Sequence, residues 1–184
     1  MSDWQTKSSK IVYDNPWMTV REDEVVMPNG KDGIYGYASS KSEAVFVVPV
    51  DAQGYTYLIQ QKRYTTKQKL WEVPAGQADG DDLPAAARRE LLEETGLRAE
   101  KIEVLNGIFT TPGMSTFHGY ICIASELSQR GEELDAAEGI LSSQRVSLDD
   151  AIAMILNGEI KTASSIAALF ITRERLKKLH LNAT

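Results

Sequence analysis

The pattern of apolar and polar positions divides the chain into strand-rich and helix-rich stretches. Residues 18–27 are rich in β-branched and apolar side chains, 28–33 (Pro-Asn-Gly-Lys-Asp-Gly) form a turn cluster, and 34–38 begin a returning strand. The continuous apolar run at 44–50 (Ala-Val-Phe-Val-Val-Pro-Val) has the length of a buried strand. Asp51-Ala52-Gln53-Gly54 then turns into 55–61, which predicts a hairpin. From Leu83 the period changes: Leu83, Ala87 and Leu91 recur at i, i+4 and i+8, the stripe by which a helix packs on a sheet. Asp81 or Asp82 can cap this helix, Pro84 suits its first turn, and Gly96 stands where a left-handed terminator is favoured, predicting a helix over 83–95.

Strand pattern resumes at 102–109 and 119–124. Two further helices are expected in the last third. Ser147 with Asp150 resembles a capping box for the first, which ends near Asn157-Gly158. Thr162 or Ser164 can start the second, which runs to about Leu179 with Lys and Arg in its last turns. Strands, one helix, strands and then helices predict an α+β chain: a mixed sheet flanked by helices.

Composition narrows the functional classes. The 184 residues and 42% hydrophobic content suit one domain, or a compact domain with a small extension. A net charge of −6 and a pI near 5.0 argue against nucleic acid or an anionic membrane as partner. An enzyme with this charge acting on anions needs a bound cation or placed arginines. The single cysteine, Cys122, excludes an internal disulfide and suits a reducing cytoplasm; within the apolar run 120–124 it reads as a buried small hydrophobe. The polar first ten residues carry no signal-peptide pattern, and the longest apolar run is too short for a membrane span, so a soluble cytoplasmic protein is expected.

The chemistry concentrates in Arg89-Glu90-Leu91-Leu92-Glu93-Glu94-Thr95-Gly96-Leu97. On a helix Glu90 and Glu94 share a face, Glu93 lies one turn from Glu90, and Arg89 is placed to orient Glu93. Three carboxylates in one turn repel each other, and one arginine does not neutralise them; a hard divalent cation does. A solvated acidic face is the alternative for this segment alone. Pro74-Ala75-Gly76 upstream closes a strand and starts a loop returning to the helix, which brings a main-chain carbonyl into consideration as a further ligand.

This segment matches every fixed position in the second half of the Nudix signature, G-x5-E-x7-R-E-U-x-E-E-x-G-U, where U is a bulky aliphatic residue. The first half departs from it. Seven residues separate Asp81 from Arg89, which puts Asp81 where the family has Glu, and four residues rather than five separate it from Gly76; Asp82 restores the five and shortens the second gap. The chain therefore resembles the Nudix hydrolases, which implies an α/β/α sandwich with a mixed sheet. The resemblance implies that Glu90, Glu93, Glu94 and the Ala75 carbonyl hold Mg²⁺ (or Mn²⁺), with Arg89 keeping the carboxylates in place.

Beyond the signature the chain is similar to the ADP-ribose pyrophosphatase branch. The carrying features are a β extension at 1–40 ahead of the 41–184 hydrolase domain, Gln60-Gln61-Lys62-Arg63-Tyr64, Glu72 to Gly76, the Thr111-Pro112-Gly113-Met114-Ser115 loop, and the tail around 158–169. This implies hydrolysis of the pyrophosphate bond of ADP-ribose or a related nucleotide sugar. It also implies a homodimer formed through the extension, and substrate contacts at Arg63, Tyr64, Glu72 and Gly113. Arg63 pairs well with phosphate, although a solvated strand-end arginine is as good a reading. Trp17, Tyr64 and Trp71 are candidates for base stacking, with a core role as the alternative. Relatives carry an acid shortly after Pro-Gly where this chain has Thr116-Phe117-His118; His118 is either a phosphate contact or structural. The resemblance implies Glu93 and Arg89 as catalytic residues with a loop glutamate as general base or extra ligand, best placed at Glu138 with Glu133 second; a solvated acidic loop is the alternative for 131–138.

Overall fold

The structure, a computed structural model, describes residues 3–80, 82–129 and 139–181. The chain separates into two compact units, one of residues 1–43 with 109–118 and the other of 44–108 with 119–184. No helix among the described residues is long and apolar enough to cross a membrane.

The first unit is built on three antiparallel strands, β1 (Gln5–Asp14), β2 (Met18–Val26) and β3 (Asp32–Ser40), in that order. Strands β2 and β3 lie close to their expected positions. Strand β1 falls within the β extension that the resemblance implied at 1–40, but its own residues carry no strand signal. Its sequence, QTKSSKIVYD, is exposed at every position, and its register with β2 shifts twice, so no period of two marks it. The 109–118 segment joins this unit through Ala38, whose N–H donates to the Met114 carbonyl (3.0 Å) and whose carbonyl accepts from Thr116 (2.9 Å).

In the second unit, β4 (Ala44–Pro49) lies between β7 (Ala75–Gln77) and β9 (His118–Gln129), with β8 (Leu97–Phe109) at the far edge. Strand β4 is antiparallel to β7 and parallel to β9, a mixed sheet. Successive side chains of β4 enter different clusters. Val45 and Val47 pack with Cys122 and Ala124 of β9 and with Ala86, Ala87 and Leu91 of α1 (Leu83–Thr95). Phe46 and Val48 pack with Ile121 and Ile123 and with residues of α2 (Leu148–Leu156) and α3 (Ala163–Leu181), including Ile152, Ala168 and Leu169. One helix on one face and two on the other make an α/β/α sandwich. This two-sided burial explains why 44–50 is apolar without alternation. Cys122 is fully buried, as expected, and burial pushes its thiol up to about 12.

The hairpin expected between β4 and β5 (Tyr55–Lys62) requires correction. The turn forms, with Gly54 N–H donating to the Asp51 carbonyl (3.0 Å), but only an isolated bridge, Val50 to Thr56, joins the two strands. Strand β5 instead pairs with β6 (Lys69–Glu72) and with β10 (Ile140–Ser147) in a separate three-stranded sheet. Strand β10 was unforeseen, because ILSSQRVS buries only its ends and shows no clean alternation.

Asp51 clips this turn to β10. Its carboxylate accepts from the Gln53 and Tyr55 amides at 2.9 and 3.0 Å and from Arg145 Nε at 2.7 Å. Burial works to raise its pKa, but the Tyr55 amide, Arg145 and the Gln53 amide outweigh it and hold the carboxyl below its ordinary range. A depressed carboxyl contributes stability above its unfolded pKa and loses it as pH falls through the folded value. Asp51→Asn is therefore expected to cost about 1–2 kcal/mol in urea unfolding at pH 7. The gap from the native chain narrows at pH 3; an equal gap at both pH values contradicts the ionic origin.

Candidate active site

The strand–helix junction at β7 and α1 forms because each end of the helix is locally specified. The Asp82 carboxylate accepts from Ala85 N–H at 2.7 Å, Pro84 occupies the first turn, and Gly96 closes the helix at φ 71° with its N–H on the Leu92 carbonyl. Asp82 thus supplies the cap; Asp81 lies outside the described residues. The stripe of Ala87 and Leu91 is fully buried against the sheet. With that face fixed inward, the adjoining face carrying Glu90 and Glu94 meets β7.

Each residue of β7 engages a different side chain of the helix. Ala75 N–H donates to Glu94 Oε2 at 2.8 Å. Gly76 lies so close to Glu90 that a Cβ there would stand 2.2–2.4 Å from the carboxylate atoms. The Gln77 carbonyl accepts from Arg89 Nη2 at 2.7 Å, while Arg89 Nη1 donates to Glu90 Oε1 (2.7 Å) and Glu93 Oε2 (3.3 Å). Arg89 thus pairs with two of the acids, Glu90 more closely than the expected partner Glu93. Gly76 and Gln77 were absent from the expected site residues, although Gly76 was legible as the glycine of the motif.

A second ion pair lies where β5 and β6 end. Arg63 donates from Nε to both oxygens of Glu72 (3.1 and 3.2 Å) and from Nη2 to Oε2 (2.5 Å), a bidentate pair. The turn is drawn tight by Arg63 N–H on the Gln68 carbonyl and Lys67 N–H on the Arg63 carbonyl, both 3.0 Å. The next residue of the chain, Val73, is tied to α3 by its N–H on Ser165 Oγ at 3.1 Å, a link with no sequence signal.

Three glutamates of unit two are nearly inaccessible: Glu72 at 3%, Glu90 at 4% and Glu94 at 1% exposure, whereas Glu93 is exposed. Arg63 balances Glu72. On α1 Arg89 pairs with Glu90 and Glu93 while the Ala75 amide holds Glu94, and buried carboxylates are stable only where such compensation exists. The set suits a hard divalent cation in donor chemistry: oxygen ligands, excess negative charge, and a glycine whose missing side chain keeps the Glu90 carboxylate in reach of the strand. Among the described residues no three acidic, histidine or cysteine groups are already gathered in metal-ligating geometry. Glu90 is turned to Arg89 and Glu94 to the Ala75 amide.

The other expected contacts are placed as follows. Tyr64 is 84% exposed, with Lys67 Nζ 3.3 Å above its ring, and Trp17 is also exposed; Trp71 is partly buried against the core. Gly113 belongs to the first unit, where its carbonyl accepts from Tyr35 OH at 2.9 Å. His118 Nδ1 lies 2.8 Å from Glu43 and its ring 4.8 Å from that of Phe109, so it is engaged within the protein. Glu138 and Glu133 lie outside the described residues.

A NUDIX domain model matches residues 41–169, which include β7 and the whole of α1. The chain belongs to the Nudix family. It is accordingly a hydrolase, and Nudix hydrolases generally use divalent metal ions. Ahead of the Nudix domain, residues 4–38 match a nucleoside diphosphate sugar hydrolase N-terminal domain. The chain is 32% identical over 171 residues to an ADP-ribose pyrophosphatase of Mycobacterium tuberculosis, covering 91% of this chain and 82% of that one. It is 28% identical over 174 residues to an ADP-ribose pyrophosphatase of Bacillus subtilis, covering 90% of each. A GDP-mannose pyrophosphatase of Yersinia pestis is 30% identical over 125 residues, 64% of this chain and 63% of that one. The Nudix fold itself is matched by a crystal structure of an ADP compounds hydrolase, with a TM-score of 0.85, 24% identity and 97% coverage of both chains.

Proposed function

We propose that this protein hydrolyses the pyrophosphate bond of ADP-ribose or a related nucleotide sugar, with water entering and two monophosphates leaving. The observation that carries the proposal is the contact of β7 with α1, where the Ala75 amide pairs with Glu94 and Gly76 packs on Glu90, both carboxylates buried. The names of the M. tuberculosis and B. subtilis relatives and the match at residues 4–38 support the substrate class.

In this reading Glu90 and Glu94 are the principal ligands of Mg²⁺ or Mn²⁺, with Glu93 and the Ala75 carbonyl completing the site. An ion held by these residues would supply charge neutralisation at the pyrophosphate oxygens and would lower the pKa of the attacking water. Arg89, anchored on the Gln77 carbonyl, fixes the Glu90 carboxylate so that its position does not depend on the ligand. Arg63 and Tyr64 contact the diphosphate side of the substrate, and Glu72 orients Arg63. Glu138 takes the proton of the attacking water; this assignment rests on the chain alignment with the branch. The β extension, residues 1–40, forms the homodimer contact ahead of the 41–184 hydrolase domain.

Incubation with Mg²⁺ and ADP-ribose, with products identified by mass, tests the proposal. AMP and ribose 5-phosphate in equal amounts are expected. GDP-mannose in a parallel reaction distinguishes the nearest alternative substrate. Micromolar binding of ADP-ribose with no product would show a sensor rather than an enzyme and overturn the reading.

A further inference from the structure

Glu72 and Ala75 end and begin strands of two different sheets of the second unit, and only Val73 and Pro74 join them. The pairing of β6 with β5 stops at Glu72 opposite Ile59, and that of β7 with β4 starts at Ala75 opposite Phe46. Each residue of 72–75 is fastened to a different part of the unit. The Glu72 carboxylate accepts from Arg63, and the Val73 N–H donates to Ser165 Oγ of α3 at 3.1 Å. The Pro74 carbonyl accepts from the Val47 N–H of β4 at 2.8 Å, and the Ala75 N–H donates to Glu94 of α1 at 2.8 Å.

The link to Ser165 supplies what the packing around it lacks. The Val73 side chain lies in the same apolar cluster as Ala168 and Leu169 of α3, a contact that is favourable but has no direction of its own. The hydrogen bond is directional and sets where Val73 stands along the helix. Val73 and Ser165 are each 1% exposed, so water does not replace the hydroxyl if it is removed. Pro74 has no N–H to offer and restricts Val73 to extended backbone. The hydroxyl is itself held, because Thr162 Oγ1 donates to Ser165 Oγ at 2.9 Å at the start of α3. Two donors therefore converge on one buried oxygen.

We infer that Ser165 is a positioning residue for the active site, setting through Val73 where Ala75 stands against Glu94. The inference rests on the proposed metal site, in which Ala75 and Glu94 are ligands.

Ser165→Ala, set beside Thr172→Ala in the full chain, tests the inference. Thr172 is a second fully buried hydroxyl of α3, and among the described residues its Oγ1 has no hydrogen-bond partner, so its loss shows what truncation within this helix does by itself. In Ser165→Ala the Mn²⁺ dissociation constant, read from the EPR signal of free Mn²⁺, is expected to rise about tenfold, and kcat for ADP-ribose to fall about tenfold. The Ala75 amide is expected to exchange with solvent at least about tenfold faster. Thr172→Ala keeps native values of all three, whatever its melting temperature. Thr162→Ala leaves Ser165 in place but frees its hydroxyl, and shows the same changes at about threefold; it decides the matter if Ser165→Ala does not fold. Native Mn²⁺ affinity and Ala75 exchange in folded Ser165→Ala or, failing that, in Thr162→Ala overturn the inference and leave the proposed hydrolysis intact. Equal changes in Thr172→Ala overturn it in the same way. A native chain that neither binds Mn²⁺ nor turns over ADP-ribose overturns the hydrolysis, and this inference with it.

Discussion

Glu94→Gln is expected to lower kcat about 10²–10³-fold while leaving the chain folded. The glutamine oxygen can still accept the Ala75 N–H that Glu94 holds at 2.8 Å, so the tie between β7 and α1 persists. What disappears is one of the three negative charges of α1. Removing a buried like charge relieves repulsion and desolvation, so the metal-free variant is expected to melt at the same temperature as the native chain or higher. The two chains separate when Mn²⁺ is added. A cation that binds the folded state alone raises its stability by mass action, and that rise should be large for the native chain and small for Glu94→Gln. Thermal melts with and without Mn²⁺, set beside initial rates, check both halves. A variant with native kcat and a native response to Mn²⁺ contradicts the role given to Glu94.

Gly76→Ala has the second-largest expected effect, on a different physical basis. The added methyl would stand 2.2–2.4 Å from the atoms of the Glu90 carboxylate, where nonbonded contact is impossible. Glu90 is also held by Arg89 Nη1 at 2.7 Å, so its carboxylate leaves its place only by breaking that ion pair or by moving β7 off the helix. A displacement on the order of 1 Å at a reacting centre lowers the rate about 10²-fold, which is the expected loss in kcat. Gly80→Ala provides the contrast. It meets nothing within 4 Å, although its φ of +94° strains any side chain. It is therefore expected to reduce stability more than turnover. Native turnover in Gly76→Ala contradicts the close packing of Gly76 on Glu90.

Local specification explains which parts of the fold were legible. Helix α1 carries a cap, a proline in its first turn, an apolar stripe and a terminating glycine, each acting within a few residues, and its bounds match the sequence reading. Strand β4 was legible for a different reason: packed by helices on both faces, it has no polar side to interrupt its apolar run. Strands β1 and β10 left no signal because they are largely exposed and are specified by their partners β2 and β5. The turn at Asp51–Gly54 was readable, but the pairing beyond it was not. A turn fixes local direction only, and β5 finds better partners in β6 and β10.

The candidate site divides along the same line. Glu90, Glu93, Glu94 and Arg89 lie on one helix, and helical spacing alone brings them together. The pairing of Arg63 with Glu72 depends on the register of β5 against β6, and that of Arg89 with the Gln77 carbonyl on the approach of β7 to α1, neither of which has a sequence spacing.

If the enzyme works as proposed, the buried acids of α1 and the adjoining β7 backbone grip divalent cations against a pyrophosphate. Anomalous diffraction from crystals grown with Mn²⁺ and a non-hydrolysable ADP-ribose analogue tests it most directly. Mn²⁺ peaks are expected within coordination distance of Glu90 and Glu94, with analogue phosphate oxygens in the same coordination shell. Peaks remote from these carboxylates, or an analogue bound with Glu90 and Glu94 contacting no ion, would contradict it.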